Sequence, residues 1–131
     1  MKHPKAKVPS LELQTVEFIM RSRALRTAGS IDLQRHGFRV TVEYEPALSL
    51  EQHGVLTDIV AIIDVHVPSC YRRRGWLTYY LSMCELLAGD ALFVAGLDAP
   101  VHAALLRRGF VPVSADFLML KKEASRPMQN R

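Results

Sequence analysis

The sequence predicts an α/β (α+β) domain in which helices cover a mixed β-sheet. Three observations carry this prediction. Phe38, Val40, Val42 and Tyr44 alternate with Arg39, Thr41, Glu43 and Glu45, the period-2 pattern of a half-buried strand. A strongly apolar run, Leu56–Val67, reads as a second and more central strand. Downstream of it the pattern passes through helix, strand, helix, strand and strand, an order that places helices against a sheet. The 131 residues suit one domain with a real core. An apolar fraction of 49% and a charged fraction of 23% are those of an ordinary globular chain.

Met1–Pro9 is polar and proline-containing and is expected to be a flexible lead, followed by one domain over 10–120 and a loose tail over 121–131. Ser10–Thr27 carries both alternation (Leu11, Leu13, Thr15) and a helical recurrence (Leu13, Val16, Met20), and its length favours a helix ended by Ala28-Gly29-Ser30. Ile31–Gln34 is expected to pair with the alternating strand through a turn at His36-Gly37, and Pro46 to close that strand. In the second strand Ile59, Ala61, Ile63, Val65 and Val67 fall on one side. Asp58, Val60, Ile62, Asp64 and His66 fall on the other. Trp76–Ala88 is helical, with Leu77, Leu81, Cys84 and Leu87/Ala88 in one stripe, and Trp76, Tyr79 and Tyr80 are expected in the core. Ala91–Ala95 is a short strand. Asp98 or Ala99 caps a helix that opens at Pro100, with Arg107 and Arg108 in its last turn and Gly109 just beyond. Phe110–Val113 and Phe117–Leu120 form a closing hairpin.

Charge and cysteine content narrow the function. The chain has 17 basic and 13 acidic residues, a net +4, compatible with an anionic ligand. Cys70 and Cys84 show no metal-ligand spacing, and no zinc site or disulfide framework is expected; Cys70 reads as a small buried thiol. The apolar run is too short to span a bilayer, and the N-terminal lysines adjoin no apolar segment, so a cytoplasmic protein is expected.

The informative stretch is Val65-His66-Val67-Pro68-Ser69-Cys70-Tyr71-Arg72-Arg73-Arg74-Gly75-Trp76-Leu77. A strand ends, a basic turn with a glycine follows, and a helix begins. The first amides of a helix lack intrahelical partners and point outward at the positive end of the dipole. A glycine there lets a phosphate approach the backbone, and nearby arginines add charge-assisted hydrogen bonds. A solvated arginine turn would look the same, so the turn alone leaves both readings open.

Arg72-x-x-Gly75 after Val-x-Val-Pro resembles the first half of the Arg/Gln-x-x-Gly-x-Gly/Ala signature of the GNAT superfamily of N-acetyltransferases. The run His102-Ala103-Ala104-Leu105-Leu106-Arg107-Arg108-Gly109-Phe110 is similar to the family's later helix and its Gly-Phe ending, so the resemblance spans about residues 56–120. It implies a compact or divergent member with a mixed, mostly antiparallel sheet. It also implies acetyl-CoA as co-substrate and an amine, of a protein or a small molecule, as acceptor. The cofactor would meet Val65, His66, Val67, Arg72, Arg73, Arg74, Gly75, Trp76 and Leu77, with pantetheine along Val65–Val67 and pyrophosphate on the turn.

Departures from the pattern are specific. Leu77 replaces a small residue, one extra residue precedes Arg72, no asparagine lies near Ala99, and Leu105 stands where the family commonly has a tyrosine acid. Asp64, His66 and Glu43 are candidate bases, with Glu45 beside Glu43, and Tyr71, Ser69 or Cys70 are candidate acids. The alternative is a non-catalytic protein of this fold that works by contacting another protein. The short N-terminal half would allow a homodimer. Nucleic-acid binding is disfavoured because the basic groups lack a recognised motif and interleaved aromatics beyond Tyr71 and Trp76.

Overall fold

A computed structural model of the chain describes residues 10–71 and 75–122. The order is α1 (Leu11–Leu25), β1 (Gly29–Arg35), β2 (Phe38–Leu50), β3 (Gly54–His66), a 3-10 turn (Ser69–Tyr71), α2 (Trp76–Leu87), β4 (Ala91–Ala95), α3 (Ala99–Arg107), β5 (Val111–Pro112) and β6 (Phe117–Lys121). The expected lead over 1–9 and the tail from 123 onward lie outside the described residues. Lys121 and Lys122 do not belong to a tail: Lys121 ends β6, and the Lys122 amide donates to the Asp90 carbonyl at 2.8 Å.

Helix α1 settles the ambiguous N-terminal pattern. Ser10 Oγ caps it by accepting from the Leu13 amide at 3.1 Å. Leu11, Thr15, Ile19 and Ser22 are the buried residues, one face at helical spacing, whereas Leu13 is 48% exposed. Helix α3 is capped by Asp98, which accepts from the Val101 amide at 3.3 Å, and Pro100 falls within its first turn.

The six strands form one sheet in the order β1-β2-β3-β4-β6-β5. Four of its pairings are antiparallel; β3–β4, joined through α2, is parallel. The fold class is therefore the expected mixed, mostly antiparallel sheet flanked by helices. One face carries Val40, Val42, Tyr44, Val60, Ile62, Leu92 and Val94, which form the main core with side chains from all three helices. A second cluster contains strand and loop residues alone, including Leu56, Ile59, Ala91, Phe93 and Met119.

Pro46 does not close β2, which runs on to Leu50. Pro46 lies between the paired positions Glu45↔Ile59 and Ala47↔Thr57, opposite Asp58, whose φ is +61°. A proline offers no ladder donor, and a left-handed residue shifts the alternation by one. Even-numbered residues before this point (Val42, Tyr44) thus serve the main core. Even-numbered residues beyond it (Leu48, Leu50, Leu56) serve the second cluster. Asp58 is held there by Arg23 Nε at 2.7 Å and the Tyr44 hydroxyl at 2.5 Å.

Of the three aromatics expected in the core of α2, Tyr80 is 1% exposed, Trp76 is half-buried and Tyr79 is 77% exposed. Thr15 Oγ1 donates to the Leu11 carbonyl at 2.7 Å, leaving its lone pairs to the Tyr80 hydroxyl at 2.7 Å. Cys84 is fully buried, and burial pushes its thiol from the ordinary 9.0 to about 12. Burial, then Cys84 beside it, also pushes the Tyr80 phenol upward. Both groups keep their protons in the folded state after the unfolded chain has released them, so folding is weakened as pH rises. The stability is expected to be intact below about pH 9 and to fall towards pH 12, by about 1.4 kcal/mol per pH unit for each group that is titrating only when unfolded. Urea midpoints between pH 8 and 11 would show this, and Cys84→Ala should flatten the decline.

Candidate cofactor-binding site

The site begins where two neighbouring strands part. Strands β3 and β4 pair from Val60↔Leu92 to Ile63↔Ala95 and no further, yet β3 continues to His66. Its pairing with β2 shifts by one residue between Thr41↔Ile63 and Arg39↔His66. The inserted residue is Asp64, with φ +56°. Directly after β4 stands Gly96, with φ +73°. A Cβ on Gly96 would lie 2.8 Å from both the Asp64 amide nitrogen and its Oδ1, so the two strands touch at this point and then diverge.

The bulge corrects the expected facing of the strand end. Between Asp58 and Asp64 odd residues (Ile59, Ala61) oppose the main core; after Asp64 the phase changes and Val65 packs against that core. Asp64 and His66 therefore do not present one surface. The divergence opens a cavity of about 320 Å³ whose wall includes Val65, His66 and Val67 on one side and Leu97, Val101 and Leu105 on the other. Tyr71, Gly75, Leu77 and Thr78 line the same space from the 3-10 turn and the start of α2.

Among the sequence-derived candidates, His66 and Tyr71 line this cavity, whereas Asp64 and Glu43 do not. Trp76 adjoins it as the first residue of α2. Arg72, Arg73 and Arg74 lie outside the described residues. Cys70 is exposed and not a buried thiol. Among the described residues no group of three or more His, Cys, Asp or Glu is arranged to hold a metal ion. Sequence reasoning missed the α3 wall. Val101, Ala104, Leu105 and Arg108 recur at helical spacing, and that recurrence was the available signal.

The start of α2 differs from the other helix starts. Ser10 and Asp98 cap α1 and α3, but α2 has Gly75 at its N-cap, with φ +79° and no side-chain cap. Among the described residues the only atom within 4 Å of a Cβ built on Gly75 is Tyr79 Cε2, at 3.9 Å. Leu105 is 3% exposed and shared between the cavity wall and the main core, placing a hydrocarbon where the resemblance implied a phenol. Arg108, also on the wall, is tied to Glu85 at 3.2 Å in a partly exposed pair of small energetic consequence.

No protein-family model matches the sequence, and no curated protein matches it. A crystal structure described as that of a "putative acetyltransferase" from Agrobacterium tumefaciens is similar to this chain with a TM-score of 0.48 and 13% identity, over 93% of this chain and 100% of that one. No helix among the described residues is long and apolar enough to cross a membrane.

Proposed function

We propose that this chain is an acetyl-CoA-dependent N-acetyltransferase of the GNAT type. The observation that carries the proposal is the parting of β3 from β4 beside the uncapped start of α2. It supports the reading because an apolar slot there would run on into an anion seat, as an acyl-pantetheine joined to a pyrophosphate requires. Val65 and His66, which line the cavity, have no register partner in β4, and their backbone would pair with the pantetheine amides. The start of α2 offers amides and a dipole end to the pyrophosphate, with Gly75 giving room. Arg72, Arg73 and Arg74 would add charge-assisted hydrogen bonds.

The co-substrate would supply an activated acyl group; the chain binds, orients and exchanges protons. His66 on the cavity wall is the reading for the group that accepts the amine proton, and Tyr71 for the group that protonates the departing thiolate. Asp64 and Glu43, off the wall, would act through water.

Calorimetric titration with acetyl-CoA tests the reading. Binding is expected to the wild type and is expected to fail in Arg72→Ala and Gly75→Glu. No binding by the wild type would sink the proposal. The apolar Leu105 is the one observation on the side of a non-catalytic protein, and binding without transfer to any amine of a broad panel would establish that alternative.

A further inference from the structure

Trp76, the single tryptophan of the chain, opens α2 directly after the left-handed Gly75. Its indole is held on several sides. The ring stacks on Tyr80 with centroids 4.8 Å apart and planes 12° apart. Phe38, at the start of β2, meets it at 4.8 Å and also meets Tyr71 at 5.1 Å. The indole Nε1–H donates to Glu12 Oε2 at 2.9 Å. Tyr71 and Trp76, which flank the basic turn, are thus both fastened to Phe38, and Trp76 is fastened in addition to α1.

Glu12 is a strange neighbour for an anion seat. A carboxylate close to a phosphate opposes it by charge. Here, however, Glu12 sits in the first turn of α1, where a negative charge is favoured by that helix's own dipole, and the indole N–H occupies one of its oxygens. Its contribution is therefore to hold a ring rather than to contact a ligand. The ring it holds belongs to the residue that opens α2.

We propose that Glu12 is a positioning residue for the cofactor turn: through the Trp76 indole it keeps the start of α2 in the arrangement that receives a phosphate. This rests on reading that turn as the pyrophosphate seat.

The test compares wild type, Glu12→Ala, Glu12→Gln and Trp76→Phe. In ligand-free protein, NMR follows the indole Nε1–H resonance and exchange of the Tyr79 amide, which closes the first turn of α2 on the Gly75 carbonyl at 3.1 Å; calorimetry then gives the affinity for coenzyme A. Glu12→Ala should move the indole proton upfield, speed exchange at the Tyr79 amide about tenfold and weaken coenzyme A about tenfold. Glu12→Gln, which retains an oxygen acceptor, should stay within about threefold of wild type. Trp76→Phe, which has no indole proton to follow, should match Glu12→Ala in exchange and affinity, and the double variant should lose little more, since both remove one interaction. Wild-type affinity in Glu12→Ala would overturn the proposal and leave the proposed function standing. Equal damage from Gln and Ala, or faster exchange throughout the sheet, would overturn it too. If wild type binds no coenzyme A, the proposed function fails, and the exchange data alone decide whether Glu12 holds the turn.

Discussion

Gly96→Ala is expected to lower the free energy of unfolding by about 3 kcal/mol, the largest stability effect of any single methyl added near the site. Two costs add. Gly96 has φ +73°, a conformation that costs an L-residue roughly 1–2 kcal/mol. The new methyl would also lie 2.8 Å from the Asp64 amide nitrogen. That atom belongs to backbone and cannot rotate away, so a strand has to move, which costs roughly another 1–3 kcal/mol. Gly54→Ala separates the two terms: Gly54 has φ +72° and, among the described residues, nothing within 4 Å of a built Cβ, so it should show the conformational cost alone. Urea denaturation of both variants measures the difference. Equal losses would mean that the strands are not locked together at Asp64 and Gly96. Because the cavity starts at that lock, Gly96→Ala should also weaken acetyl-CoA.

Gly75→Glu should leave the fold nearly intact and remove cofactor binding. Among the described residues the only atom a Cβ there would meet within 4 Å is Tyr79 Cε2, in ordinary contact at 3.9 Å, so the folding cost is the roughly 1–2 kcal/mol of a left-handed L-residue. The ligand would suffer far more. Unit charges about 4 Å apart near a protein surface repel by about 4 kcal/mol, and on the proposed function a carboxylate at this helix start would face a pyrophosphate. A loss of at least about 100-fold in affinity is expected, the equivalent of about 2.7 kcal/mol. Gly75→Ala, which blocks the approach without adding charge, should fall between. Calorimetry with acetyl-CoA, beside circular dichroism to verify the fold, reads both. An unchanged affinity in Gly75→Glu would remove the anion seat from α2 and the proposed function with it.

The element pattern was legible from residues alone wherever the physics is local. Phe38–Tyr44 alternates because one side faces a core, Asp98 and Pro100 open a helix because capping and a preset φ act within one turn, and Gly109 takes a left-handed conformation just past α3. The turn Val65–Leu77 was legible as a phosphate-binding candidate for the same reason, since helix amides, glycine and arginine lie within a few residues of one another.

Tertiary structure decided which side each residue finally serves. Alternation reports a face only while the backbone stays extended and its register constant. Asp64 and Asp58, each left-handed, change the phase of β3, and neither shift shows in hydropathy. The exposure of Tyr79 and Cys70 likewise depends on what packs nearby rather than on residue type. The cavity needs Leu105 and Val101 from α3 facing Val65 from β3, and the hold on its turn needs Glu12 from α1. Side chains so far apart in the chain meet only after the sheet has formed. By itself the sequence determined the strands, helices, caps and the basic glycine turn, because propensity and capping act over a few residues. The parting of β3 from β4, the wall opposite it and the Glu12–Trp76 bond were decided by packing, because register and long-range contact are properties of the whole sheet.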